Sequence, residues 1–360
     1  PNAVGYYDTI VFKGDERYAF GEYMGGKPFF IGIWVPVIES KKTALVKFSD
    51  YFKLDALASV SDTLAKQSIR LVADEICANR ATLSDIPFGS GERAILQKML
   101  ETETMSHRIS TLPARKYPVV IYHHGAGSIA QENTVLFEFL ASHGYVVLST
   151  NYHLPIEGQR EYDSFYASRK FDAVTDVEFI MRFASGLSCV DATNAFYSGH
   201  SWGAGTGLFV NERRNHIFRK FVLLESTVED YPPEGVTQLF PRMDSVLRNH
   251  PDHFQTATWL ITAPKDYYED GTYVRLAPPA FQAFKTIDPS ILVKINAKLP
   301  MNHDSFVSIG PMENVFADAF YQPDALYVKR ELASYYAINE LVLGILEGRK
   351  INEERFVVVR

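Results

Sequence analysis

The 360-residue sequence predicts an α/β protein with a mostly parallel central sheet, helices on both faces and a helical insert near the front. Two observations carry that expectation. From Tyr117 onward, short apolar runs alternate with amphipathic segments, the pattern of strands that return to a parallel sheet through helical crossovers. One of those runs, ending in Phe196 and Tyr197, passes through Gly199-His200-Ser201-Trp202-Gly203 into a helical pattern that begins at Leu208-Phe209-Val210. Length alone allows one to three domains, but no linker separates two independent ones. Residues 1–360 are therefore expected to form one domain, with the insert at about 40–112 and a candidate cap segment at about 227–255.

In chain order, Tyr6 to Phe12 and Phe29 to Val37 are rich in β-branched and aromatic residues, with Gly25-Gly26-Lys27-Pro28 between them. They predict an antiparallel opening to the sheet. In the insert, Ser61-Asp62 can cap a helix carrying Leu64, Leu71, Val72 and Ile76 on one face. Ser90 can cap another carrying Ile95, Leu96, Met99 and Leu100. Val119 to Tyr122 is then a short strand, His123 to Ser128 a turn, and Glu132 to His143 a helix stopped by Gly144. Tyr145 to Leu148 is a strand and Phe171 to Phe183 a helix. After the Ser201 turn and its helix, Phe221 to Leu224 is a strand, followed by a polar, proline-bearing excursion to about Phe254. Thr258 to Ile261 and Ile291 to Ile295 are expected as the last strands, and Ala325 to Leu346 as a closing helix.

Bulk properties narrow the partners. A net charge of −7 argues against a nucleic-acid backbone or an anionic membrane surface as the main one. No apolar run is long enough to span a bilayer. Cys77 and Cys189 lie far apart and read as two buried thiols; they offer no zinc spacing. The first residue is Pro1 rather than Met, as expected after removal of a signal peptide or after trimming, so export and a cytoplasmic location both stay open.

In an open α/β sheet, chemistry gathers at the carboxyl ends of the strands. Gly199-His200-Ser201-Trp202-Gly203 spells G-x-S-x-G in a strand–turn–helix context, which makes Ser201 a candidate nucleophile and the Trp202 amide a candidate oxyanion donor. The plain alternative is a glycine-rich turn. His124-Gly125-Ala126-Gly127 follows another strand and can point the Ala126 amide at the same place; otherwise it is an ordinary β–α glycine turn. His123 and His124 are adjacent on a strand end and face opposite ways, so they do not read as a metal pair. His303, in Met301-Asn302-His303-Asp304, lies late in the chain after the last strand, where a general base would fall; His143 and His153 both precede the serine. Two carboxylates close strands and could orient the base, Glu225 and Asp266, and spacing does not choose between them. Gly125, Tyr152 and His153 are placed to border a substrate pocket. No metal and no organic cofactor is required by this set.

Four stretches resemble one family. They are Ile33-Trp34-Val35-Pro36, the run Tyr117 to Gly125, Glu132-Asn133 with Ala141-Ser142-His143-Gly144-Tyr145-Val146-Val147, and Gly199 to Gly203. Together they are similar to the serine α/β-hydrolases related to platelet-activating factor acetylhydrolase and dienelactone hydrolase, most closely over roughly 115–225. The resemblance implies the α/β-hydrolase fold. It also implies an esterase that acts through an acyl-serine on a small-molecule ester, lipid-like esters included, without a cofactor. In acetylhydrolases of this type the acid follows the strand after the elbow helix, which here is Glu225; in dienelactone-hydrolase relatives it follows the next strand, which is Asp266. Glu in place of the usual Asp, and Ala204 where a second glycine is frequent, are departures from the pattern. Three other readings stay in view. The same site could cut peptide bonds, or the fold could bind a ligand without catalysis. Gly125-Ala126-Gly127 with Ala130 also fits G-x-G-x-x-A, yet the next strand ends in Ser149-Thr150-Asn151, without the acid that a nicotinamide ribose requires.

Overall fold

The computed structural model describes residues 1–37, 44–52, 61–62, 98–126, 128–152, 173–213, 216–226, 228, 233–263, 284–299, 301–316 and 325–359. The strands are β1 (Ala3–Phe20), β2 (Tyr23–Val37), β3 (Leu45–Lys47), β4 (Glu103–Arg108), β5 (Tyr117–His123), β6 (Val146–Thr150), β7 (Val190–His200), β8 (Lys220–Leu224), β9 (Thr258–Thr262), β10 (Leu292–Ala297) and β11 (Phe356–Val359). The helices are α1 (Thr134–Ser142), α2 (Ala173–Ser185), α3 (Trp202–Glu212), α4 (Pro233–Leu239), α5 (Pro241–Asn249), α6 (Ile309–Phe316) and α7 (Ala325–Glu347). The chain divides into two compact units, each discontinuous. The first comprises Pro1–Val119, Ala126–Ala192 and Val307–Val328; the second comprises Val120–Gly125, Thr193–Phe306 and Lys329–Arg360.

In the first unit the strand order is β6-β2-β1-β4-β3. β1 and β2 form one long hairpin that turns at Gly21-Glu22, with Gly21 at φ 55°, a conformation open to glycine. The expected turn at residues 25–28 is thus corrected: those residues continue β2. Its outer half reads poorly as strand because it is polar, but Lys13 and Lys27 converge there on Asp176 of α2, at 2.9 and 2.5 Å. The inner half is apolar. Tyr6, Trp34, Tyr51 and Phe137 are fully buried, with Trp34 packed 5.1, 5.4 and 4.8 Å from the other three rings.

β6 runs antiparallel to β2, β4 parallel to β1, and β3 antiparallel to β4. Residues 45–47 and 103–108 of the expected helical insert are therefore strands, whereas the helices expected after Ser61-Asp62 and after Ser90 fall mostly on residues outside the described ones; Lys98 to Glu101, at the end of the second, are helical. α1 ends as expected, at Gly144 with φ 97°. Within α1, Glu138 Oε1 accepts hydrogen bonds from Tyr51 Oη, Ser106 Oγ and the Met105 amide, at 2.7, 2.7 and 3.0 Å. Cys189 is a buried free thiol, pushed up to about 11 by burial; Cys77 lies outside the described residues.

In the second unit the strand order is β11-β10-β9-β8-β7-β5. β7, β8, β9 and β10 are mutually parallel, and their apolar runs are buried on both faces, as crossover strands require. β11 adds an antiparallel edge to β10 that the sequence reading did not include. The sheet is accordingly mixed rather than mostly parallel. α7 buries Ile338, Leu341, Val342 and Ile345, and Lys220 Nζ donates to the carbonyls of Ile345 and Leu346 at its carboxyl end, at 2.6 and 3.1 Å. The polar excursion after β8 holds two short helices, α4 and α5, and a 3₁₀ turn at Pro251–His253. Among the described residues, no helix is long and apolar enough to cross a membrane.

Candidate functional site at the Ser201 turn

β7 stops at His200 and α3 starts at Trp202, so Ser201 alone makes the turn. Its backbone sits at φ 52°, ψ −115°, a region that residues with a Cβ rarely occupy. Neighbouring hydrogen bonds hold it there. The Ser201 amide donates to the Leu224 carbonyl of β8 at 2.9 Å, and the Gly205 amide donates to the Ser201 carbonyl at 3.0 Å, opening α3. The flanking glycines are required by space. A Cβ on Gly199 would lie 2.6 Å from the Gly203 carbonyl carbon, and a Cβ on Gly203 would lie 2.0 Å from the His123 carbonyl oxygen. The turn therefore packs directly on the end of β5. Tyr197 Oη locks the same point by donating to the Gly203 carbonyl at 2.6 Å.

Glu225 follows β8 directly and is 5% exposed. It too has a positive φ, 46°, and its backbone amide donates to the Ile261 carbonyl at 2.8 Å. Glu225 Oε2 accepts from the Ala263 amide at 2.5 Å. The register places Leu224 opposite His200, so Ser201 and Glu225 leave neighbouring strands side by side.

His303 is partly buried and sits in the loop between β10 and a 3₁₀ turn at Asp304–Phe306. Asn302 shapes that loop: its Oδ1 accepts from the amides of Asp304 and Ser305, at 3.0 and 2.9 Å. Ser305 Oγ lies 2.9 Å from both Asn302 Oδ1 and Glu331 Oε1 of α7. His303 meets His200, the residue before the serine: His200 Nε2 is 3.0 Å from the His303 carbonyl oxygen, and the ring centroids are 4.7 Å apart. Sequence reasoning treated His200 only as a spacer in the motif, and nothing in its local sequence marks the contact.

The turn after β5 carries its own local order. His123 Nδ1 lies 2.8 Å from the His124 carbonyl, and His124 Nδ1 lies 2.8 Å from the Gly125 carbonyl. Carbonyls only accept, so both rings are protonated at Nδ1. In a trans peptide the C=O and the following N–H point oppositely. With the Gly125 carbonyl turned to the His124 ring, the Ala126 amide points away from that ring.

Gly125 is buried and Ala126 partly buried. The Trp202 ring packs against Phe209 and Phe240, at 6.2 and 6.1 Å. Tyr152 is 3% exposed, edge-on to Phe29 at 6.4 Å, and burial raises its hydroxyl well above the ordinary tyrosine value. Asp266 and His153 lie outside the described residues. Among the described residues, the metal-ligating side chains that cluster are His250, Asp252 and His253, with ligand atoms within 4.8 Å of one another; both His250 and Asp252 are exposed, on the turn after α5.

No protein-family model matches the chain, and no curated protein matches its sequence. Among solved structures it is similar to a ferulic acid esterase from Streptomyces cinnamoneus, at 15% identity and a TM-score of 0.64, over 99% of this chain and 96% of that one. It is also similar to the AtxE2 isopeptidase, at 12% identity and a TM-score of 0.47, over 98% of this chain and 42% of that one. A Pyrococcus horikoshii acylaminoacyl peptidase follows at 12% identity and a TM-score of 0.35, over 49% and 31%. The chain thus spans nearly all of the esterase and less than half of either peptidase. At such identity the likeness to the esterase is one of fold, consistent with the α/β-hydrolase architecture that the motifs predict.

Proposed function

We propose that this chain is a serine hydrolase that cleaves carboxylic esters through an acyl-serine intermediate. The observation that carries the reading is the Ser201 backbone, at φ 52° on a strand–helix junction, with both flanking glycines pressed against backbone atoms. A strained serine in that setting is what a nucleophile elbow requires: the turn lifts Oγ above the carboxyl ends of the strands.

The chemistry assigned to it is acyl transfer. His303 takes the Ser201 proton as Oγ attacks the ester carbonyl. The Trp202 and Ala126 amides receive the oxyanion, and the His124 contact to the Gly125 carbonyl supports the second of these by fixing the peptide that carries it. The ester C–O bond breaks, the alcohol leaves with the proton from His303, and water repeats the sequence on the acyl-serine. Glu225 is assigned as the acid that orients His303. It is buried, its backbone is bent at the strand end, and one oxygen accepts from the Ala263 amide; in this assignment the other accepts from the imidazole. Asp266 is the alternative for that role. Within hydrolases, the motif resemblance supports a reading as an esterase related to platelet-activating factor acetylhydrolase and dienelactone hydrolase. A substrate ester is also in keeping with the name of the ferulic acid esterase that shares its fold.

The test is turnover of p-nitrophenyl esters of graded acyl length by the wild type and Ser201→Ala. The expected result is release of nitrophenol that falls by about 10⁶ in kcat in the variant. Equal rates in both proteins would refute the assignment. Cleavage of p-nitroanilides but not esters, with fluorophosphonate labelling of Ser201, would move the chain to the peptidases.

A further inference from the structure

We propose that His200 is a positioning residue for the base: as a neutral imidazole protonated at Nε2, it holds His303 in place by backbone and ring at once. The inference rests on the assignment of Ser201 and His303 as nucleophile and base. His200 ends β7, is 4% exposed, and is joined to Ser201 by one peptide bond. Its Nε2 is 3.0 Å from the His303 carbonyl oxygen, and its ring is inclined 44° to the His303 ring with centroids 4.7 Å apart. The acceptor decides the tautomer, because a carbonyl oxygen has no hydrogen to give; the proton sits on Nε2.

The need for such a grip follows from how His303 is carried. It lies on a loop, whereas the serine lies on a rigid strand–helix junction, and acyl transfer tolerates little error between the two. Asn302 and Ser305 secure the loop on either side of His303, the latter through Glu331 of α7. His200 secures His303 itself, and does so from the residue next to the nucleophile, so the reference frame of the base becomes that of Ser201. The contact also restricts charge. His303 must become an imidazolium when it takes the serine proton, and a second imidazolium at this ring separation would oppose that step. The neutral form of His200 meets both demands: it donates to the carbonyl and leaves the proton to His303.

The experiment compares kcat and KM of the wild type, Ser201→Ala, His200→Phe and His200→Gln on the best p-nitrophenyl ester, and records imidazole ¹⁵N–¹H spectra of the wild type. Phe keeps the ring and loses the donor; Gln can bring an amide N–H to the place of Nε2. His200→Phe should lower kcat by about tenfold to a hundredfold with KM within about twofold, and His200→Gln should recover most of the loss. The spectra should show His200 neutral and protonated at Nε2 throughout the range in which His303 titrates.

Full kcat in His200→Phe, no rescue by Gln, or a His200 found as the imidazolium or the Nδ1–H tautomer would each overturn the inference. The wild-type spectra decide the matter if His200→Phe does not fold. Undiminished turnover in Ser201→Ala would overturn the hydrolase assignment itself and this inference with it. Loss in Ser201→Ala with full kcat in His200→Phe overturns this inference alone.

Discussion

Gly203→Ala adds one methyl group where the elbow helix meets the end of β5. That methyl would lie 2.0 Å from the His123 carbonyl oxygen, 2.6 Å from the His123 carbonyl carbon and 2.8 Å from the His124 carbonyl oxygen. All three are backbone atoms, so no rotamer relieves the overlap. Gly203 is already helical within α3, so the cost comes from the contact rather than from a backbone conformation that alanine cannot adopt. The nearest contact must open from 2.0 Å to the 3.4 Å at which ordinary contact begins. Over-packing a close-packed interior costs about 1–3 kcal/mol, and backbone on both sides of this contact puts the variant at the upper end. Gly203 is two residues from Ser201, so the opening reaches Oγ. A displacement near an ångström at a reacting atom lowers turnover by about a hundredfold. Urea unfolding and p-nitrophenyl acetate hydrolysis measure the two effects. Gly14→Ala is the matched control, since nothing lies within 4 Å of the added methyl there; it should stay within about 0.5 kcal/mol of the wild type. If Gly203→Ala behaves like Gly14→Ala in both assays, the close approach of α3 to β5 is wrong, and with it the steric account of the motif.

Three further outcomes follow from other parts of the molecule. Glu225→Gln keeps an acceptor for the Ala263 amide but loses the charge, so kcat should fall by about 10⁴ with little change in unfolding midpoint; full activity there, with loss in Asp266→Asn, would transfer the acid role. Asp176→Asn removes the buried charge that Lys13 and Lys27 share and leaves them only the half-exposed Glu16, so it should cost about 2–3 kcal/mol in urea unfolding, below the figure for a fully uncompensated buried charge. A loss under 1 kcal/mol would show that the cluster is open to water. Glu138 is raised from its ordinary value by burial, against hydrogen bonds from Tyr51, Ser106, Thr104 and the Met105 amide that lower it. Its folded value therefore lies above its unfolded one. The stability linked to its proton is fully present below the unfolded value, near pH 4.5, and is lost as pH rises through the folded one. Glu138→Gln should thus gain in melting temperature relative to the wild type as pH rises from 4 to 7.5, and a relative loss over that range would refute the sign.

The central strands were legible because burial on both faces leaves a continuous apolar run: Val119 to Tyr122, Phe221 to Leu224 and Thr258 to Ile261 all appear where those runs stand. The outer half of the β1–β2 hairpin was not. Residues 13–20 and 23–27 carry lysines, acids and glycines that read as turn, and they form strand because the two stretches pair across the hairpin and because Asp176, about 150 residues away, joins Glu16 in neutralising Lys13 and Lys27. β4 is similar: Glu103–Arg108 has no apolar run, and β1 supplies its partner. β11 is short and follows a long helix, so only its pairing with β10 defines it.

At the candidate site the same division holds. Gly-x-Ser-x-Gly is local at its first glycine, where a Cβ collides with the backbone of Gly203 and Ala204, whereas at Gly203 the collision is with the end of β5 and depends on the fold. The helix stop at Gly144 is local like the first, a left-handed residue written as glycine. Local sterics depend on nearest neighbours, and a linear sequence states those directly. The contact between His200 and His303 joins residues 103 positions apart, and the hold of Glu225 on Ala263 depends on β8 lying beside β9. Those relations are set by which strands pair and in what register. Register is decided by the free energy of the whole sheet rather than by any window of sequence, so these two contacts became visible only in the tertiary structure.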